Sequence, residues 1–189
     1  MTTRHGAAVL LLGLSLLLAT GCLRRTTPSI EYYMLSVPRP AETLGVATRV
    51  AGFTAEPAYS STRIAYRTSP YRLGYHTFHR WAANPQSLVA SAVDDYFANE
   101  RTSNVPIYLT GRIRRLEAVD IGGDAHASLE LSLEAHRGSE RIFTRTYRED
   151  IALEEHDPEH VAAALSVALG RVLERFADDL ATRLGNHRP

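Results

Sequence analysis

Residues 125–136 read AHASLELSLEAH, with an apolar residue at every second position. Leu129, Leu131 and Leu133 share one side of such a segment. His126, Ser128, Glu130, Ser132 and Glu134 share the other. A period of two with one apolar and one polar face predicts an antiparallel strand whose outer face is wet. The segments on either side fit a meander. PIYLTGRIRRLEAVDI (106–121) alternates at Ile107, Leu109 and Ile113, then slips phase near Arg114 and Arg115. One extra residue in the strand, a β-bulge, accounts for the slip. Gly122, Gly123 and Asp124 supply a turn before residue 125, RGSE (137–140) a turn after 136, and RIFTRTYRED (141–150) a return strand.

Two segments carry helical spacing instead. In NPQSLVASAVDDYFANE (84–100), Leu88, Ala92 and Tyr96 lie beside Val89, Val93 and Phe97, with Asn84 placed to cap and Pro85 suited to the first turn. Asp157 and Pro158 open a second helix. Its side is marked by Val161, Leu165, Leu169, Val172, Phe176, Leu180 and Leu184, and Gly185 ends it. SIEYYMLSV (29–37) and TRVAGF (48–53) read as further strands, and RIAYR and RLGYH as a hairpin around a Ser-Pro turn. The expected architecture is α+β: a single domain with a largely antiparallel sheet and two amphipathic helices packed on one face.

The N-terminus sets the compartment. Arg4 and His5 precede an apolar run from Gly6 to Ala19 that is shorter than the ~20 residues needed to span a bilayer. It has the form of a secretory signal. Leu18-Ala19-Thr20-Gly21-Cys22 resembles a bacterial lipobox, with Ala19 where leucine is commoner. The expected organisation is a signal peptide over 1–21, a lipidated tether over 22–29 beginning at Cys22, and one domain over 30–185. Cys22 is the only cysteine, so an internal disulfide and a Cys-x-x-Cys metal or redox site are both excluded. The chain has 21 basic and 21 acidic residues; Met1–Gly21 holds one arginine and no acid, which leaves 20 against 21. A nucleic-acid partner would ask for a distinctly basic domain.

RIAYRTSPYRLGYHTFHRW (63–81) interleaves Arg, His and aromatic residues with the sole tryptophan. A four-residue loop would pair Arg67 with Arg72, Tyr66 with Leu73, Ala65 with Gly74 and Ile64 with Tyr75. That register segregates a tyrosine-rich face from one bearing Arg63, Arg67, Arg72 and His76. Like charges opposite each other are unfavourable unless an acid answers them. The arginine face with His76 is therefore the candidate partner-binding surface, with this domain's own acids as the alternative. Trp81, between hairpin and helix, is expected in the core.

The anchor, YYML (32–35), the 63–81 segment, the capped helix, the meander and the final helix, taken together, resemble the ABC-type transport auxiliary lipoproteins, which include the paraquat-inducible lipoprotein C type. The resemblance runs from about Ile30 to Leu184. It implies a lipid-anchored periplasmic docking subunit, often oligomeric. Its implied partners are an MCE-type periplasmic protein and an ABC transporter that moves lipid between membranes. It also implies the outer membrane, since Leu23 after the cysteine is not the aspartate of inner-membrane retention. The alternatives are a free-standing envelope lipoprotein that binds lipid or another envelope protein, and a hydrolase with an unrecognised site.

No motif asks for a cofactor. The chain has no Walker A loop, so the ATPase is another chain, and no GxSxG elbow. HDPEH (156–160) does not read as a metal site. The residue before a proline avoids the α region, which makes Asp157 a cap and leaves His156 outside the helix that carries His160.

Overall fold

The computed structural model describes residues 28–40, 46–98 and 105–185. The signal, Cys22 and the first part of the tether lie outside them. Among the described residues, seven strands and two α-helices form one α+β domain. The strands are β1 (Glu31–Tyr33), β2 (Thr48–Ala55), β3 (Arg63–Ser69), β4 (Arg72–Trp81), β5 (Ile107–Ile121), β6 (Asp124–Arg137) and β7 (Glu140–Ala152). The helices are α1 (Pro85–Phe97) and α2 (Pro158–Gly185), and a 3-10 turn occupies Pro57–Tyr59.

The sheet runs β1-β4-β3-β5-β6-β7, with β2 also on β5. Its long pairings, β5 with β6 and β6 with β7, are antiparallel as the alternation predicts. Three others are parallel: β1 with β4, β2 with β5 and β3 with β5. The bulge expected at Arg114 is present as a register shift between Ile113 and Arg115. It divides β5 in two. The first half pairs with β2 up to Ile113, and the second half pairs with β3 from Glu117 to Val119. The bulged Arg114 turns to Glu130, with Nε 3.2 Å from Oε1.

One face of the sheet is apolar. Leu109, Ile113, Leu116, Leu129, Leu131 and Leu133 are at most 2% exposed. Both helices cover that face. The α2 stripe of Val161, Leu165, Leu169, Val172, Phe176 and Leu180 is buried throughout. The Phe176 ring meets Phe97 of α1 and Phe143 and Tyr147 of β7, with centroids 6.2, 5.9 and 6.3 Å away. Trp81 is 1% exposed, inside the core as expected. At the start of α2 the Asp157 carboxylate accepts the amides of Glu159 (2.9 Å) and His160 (3.2 Å). Asn84 does not cap with its side chain. Its carbonyl accepts from the amides of Ser87 and Leu88, and Pro85 begins the helix without needing an amide partner.

Three expectations require correction. The strand over 29–37 pairs only at Glu31–Tyr33. Beyond it the Ser36 amide donates to Ser166 Oγ (3.1 Å), which draws the chain off the sheet and onto α2, with Leu35 buried. Ser128 occupies the polar face of β6 but is fully buried, its hydroxyl donating to Asp150 Oδ1 at 2.6 Å. The hairpin register also differs. Ser69 faces Arg72 across a two-residue Pro70-Tyr71 turn, Arg67 faces Leu73, Tyr66 faces Gly74 and Ala65 faces Tyr75, with a shift at Thr68. The Tyr66 ring lies over Gly74, where an added Cβ would come within 2.5 Å of it. Arg67 and Arg72 are therefore not opposed.

Candidate docking surfaces

Arg67 shows what fixes the register. In parallel pairing Ala65 lies beside Glu117 and Arg67 beside Val119. Glu117 projects from the sheet face away from the helices, yet it is fully buried because the Pro57–Tyr59 turn lies over it. The Arg67 guanidinium donates Nε–H to Glu117 Oε1 (2.8 Å) and Nη2–H to Oε2 (3.0 Å), the two-point geometry that suits a carboxylate. The Tyr59 hydroxyl donates to Oε2 at 2.9 Å, and Arg115 Nη1 stands 3.5 Å from Oε1. The hydrogen bond to Glu117 raises the Arg67 pKa. Burial, then the Glu117 charge, raises that of Tyr59. The acid that answers Arg67 is thus inside the domain.

The remaining hairpin residues go to separate places. Arg63 is exposed and sits 4.7 Å over the Tyr75 ring. Arg72 is exposed at the turn, with no carboxylate partner among the described residues. Tyr71 beside it is 97% exposed. His76 is half-buried and meets the rings of Tyr66 (5.0 Å) and His79 (5.6 Å) edge-on. Burial, then the neighbouring His79, lowers its pKa.

His79 leads to a second feature. Its Nδ1 lies 3.0 Å from the Tyr33 hydroxyl and 3.2 Å from Glu31 Oε2, and the Tyr33 hydroxyl donates to the same Oε2 at 2.8 Å. Burial pushes the Tyr33 hydroxyl up to about 12, helped by the bond to Glu31 and by the charges of Glu31, Glu159 and Asp157. Beside this cluster a groove of about 1080 Å³ opens between residues 31–38 and α2 from Glu159 to Glu174. Tyr32 (62% exposed), Met34 (65%) and Val167 (48%) line it and leave their apolar surface in solvent. An apolar concavity rimmed by charge is the usual form of a contact site. The sequence carried a trace of it: Val167 interrupts the polar side of α2, and Ala162, Ser166 and Gly170 recur at four-residue spacing on a flank outside the predicted apolar stripe.

Two further polar clusters lie on the surface. On the face away from the helices, Asp150 accepts from Ser128 and from Arg148 Nε (3.0 Å). Partial burial alone would raise the Asp150 pKa, but those two hydrogen bonds and the Arg148 and His126 charges outweigh it and the pKa falls. At the start of α2, ligand-type atoms of Glu155, Asp157 and His160 lie within 4.8 Å of one another, all on exposed residues. His156 is apart from them, with Nδ1 3.5 Å from Asp120 Oδ2. Among the described residues no helix is long and apolar enough to cross a membrane.

These features define an α+β domain with an open sheet whose β1–β4 edge carries an apolar groove and, at the other end of β4, an exposed aromatic hairpin tip. The chain belongs to the ABC-type transport auxiliary lipoprotein component family, whose model matches residues 33–177. It is similar to the crystal structure of protein XCC0632 from Xanthomonas campestris, with 23% identity, a TM-score of 0.69, and coverage of 84% of this chain and 98% of that one. It is also similar in fold to a crystal structure of an uncharacterized protein, with 8% identity, a TM-score of 0.64, and coverage of 80% and 99%. No curated protein matches the chain.

Proposed function

We propose that this protein is a non-catalytic docking subunit of an ABC-type transport system. In this reading it works with an MCE-type periplasmic protein to move lipid between membranes. Residues 1–21 are a signal peptide, Cys22 carries the acyl anchor, 22–29 is the tether and 30–185 is the domain. The anchor sits in the outer membrane, as Leu23 favours, and the domain faces the periplasm. The observation that carries the reading is the exposed groove of Tyr32, Met34 and Val167. It begins nine residues after Cys22, so a chain reaching about 30 Å at full extension holds this contact surface close to the membrane. β1 pairs with β4 at His79–Trp81, so the hairpin lies along the same edge of the sheet, with its Pro70-Tyr71 turn at the far end of β4. Arg63 and Arg72 then extend the contact surface outward. His76 and Arg67 support it from behind, through the Tyr66 ring and the Glu117 pair.

The test places a photocrosslinking residue at Met34 or Tyr71 in living cells, with Arg49 on β2 as the control position. Crosslinks from the first two positions to the MCE-type protein or to an ABC-transporter subunit are expected. Crosslinks only to further copies of this chain, or an equal yield from Arg49, would refute the docking role.

A further inference from the structure

The groove looks onto the rim of a strand. Glu31, Tyr32, Tyr33 and Met34 all line it. Successive side chains of a strand point to opposite faces, so a cavity touching all three residues of β1 faces the backbone edge between them. β1 pairs with β4 alone among the described residues, which leaves its other edge of amides and carbonyls without a strand partner. Such an edge is a template for pairing with another chain. The opposite wall is α2, where Ala162 and Ala163 keep the surface low, while Ser166 and Gly170 beyond them already face Ser36 and Val37 of this chain. An added backbone can approach closely beside Ala162 and Ala163.

Length and charge narrow the occupant. From Glu159 to Glu174 the α2 wall runs for about 22 Å at 1.5 Å per residue. A strand of six or seven residues at about 3.3 Å each has the same length, and three of them would lie along β1. Glu31, Glu159 and Glu174 line the groove against one cation, Arg171, which also stands 3.8 Å from Glu149. The rim is therefore acidic. It disfavours an anionic lipid headgroup and favours Lys or Arg.

We propose that this groove captures an extended segment of a partner protein, which adds to the sheet as a strand along β1. Its apolar side chains rest on Tyr32, Met34 and Val167, and its alternate basic side chains reach the rim carboxylates. Main-chain hydrogen bonds give the affinity and the alternation gives the specificity, as in other strand-addition complexes. The proposal rests on the docking function and assigns that function a chemistry.

The experiment uses the full-length protein in lipid nanodiscs and a fluorescent seven-residue peptide of alternating arginine and valine. Saturable binding is expected, with the exchange of the Tyr32 and Met34 amides slowed about tenfold or more. The same peptide with alternate backbone amides N-methylated, so that one edge cannot pair, should bind at least about tenfold more weakly, as should a glutamate-valine peptide. Val167→Lys should abolish binding, by removing an apolar seat and repelling the arginines, and leave the melting temperature unchanged, since Val167 is exposed. Equal binding of the N-methylated peptide would mean apolar filling without strand addition and would overturn the proposal. So would an absence of peptide binding, whether or not a labelled fatty acid occupies the groove. If crosslinks from Met34 to the transport partner persist in that case, the docking function stands and only its strand-addition form is lost.

Discussion

Replacing Arg67 with alanine should destabilise the domain, although a surface arginine in a hairpin ordinarily contributes little. Glu117 is fully buried, and Arg67 supplies two of its close donors, at 2.8 and 3.0 Å. Removing one partner of a buried pair costs about 3–5 kcal/mol, because the other charge is left without compensation. Here the lower end applies. Tyr59 still donates at 2.9 Å, Arg115 remains at 3.5 Å, and the Arg67 side chain is 20% exposed, so water can enter where the guanidinium was. A loss of about 3 kcal/mol lowers the melting temperature by roughly 6–12 °C in a domain of this size. Arg67→Glu would set two carboxylates together and should cost more. The double variant Arg67→Met, Glu117→Leu removes both charges and should recover most of the stability, since a buried pair is often no better than an apolar one. Thermal and urea unfolding of the parent, Arg67→Met, Glu117→Leu and the double variant give the coupling energy directly. Arg67→Ala melting within about 1 °C of the parent would show that the pair does not hold the hairpin in register.

Trp81→Ala, at a position 1% exposed, should cost about 3–5 kcal/mol in urea unfolding, and an unchanged midpoint would place the ring outside the core. Cys22→Ser should abolish incorporation of labelled fatty acid and leave the domain's unfolding curve unaltered; continued labelling would refute the anchor. Burial and His79 lower the pKa of His76, so the folded state prefers the neutral ring. Its contribution is complete above the unfolded value of about 6.5 and is lost as pH falls from there through the lower folded value. His76→Gln should flatten that part of the stability profile, and an unchanged slope would show that His76 titrates normally.

The periodic parts of this fold were legible because their causes are local. Leu129, Leu131 and Leu133 announce the central strand, and the phase slip after Ile113 announces the bulge. Asp157 announces the start of α2. The hairpin was misread for the opposite reason. Segregating side chains between two strands assumes that those two strands decide the register, but the deciding residue here is Glu117, fifty positions from Arg67. Nothing within RIAYRTSPYRLGYH indicates that a third strand will supply a buried acid. Glu117 itself follows Arg112, Arg114 and Arg115 in its strand, and nothing in that local sequence marks it as buried. Its burial comes from the Pro57–Tyr59 turn, a loop with no periodicity to read.

The groove was hidden by the same kind of distance, and its origin can be traced. The bulge at Arg114 splits β5, so two parallel strands share one edge and β3 pairs with the second half. That offset carries β3 and β4, and with them β1, toward the start of α2, where Glu31, Tyr33 and Glu159 line one groove. The Ser36 amide then meets Ser166, 130 residues away, and draws the chain off the sheet after only three paired residues. Continued pairing would have kept residues 34–37 on the sheet and away from α2. Departure at Met34 instead leaves a strand edge and a helix flank facing each other across open space. Strengthening the strand should therefore weaken the surface: Ser166→Ala removes the acceptor that holds Ser36, and it should lower crosslinking from Met34 while the core residues beneath, Leu165 and Leu169, remain packed. Full crosslinking from Met34 in that variant would mean that the groove is shaped by something other than this hydrogen bond.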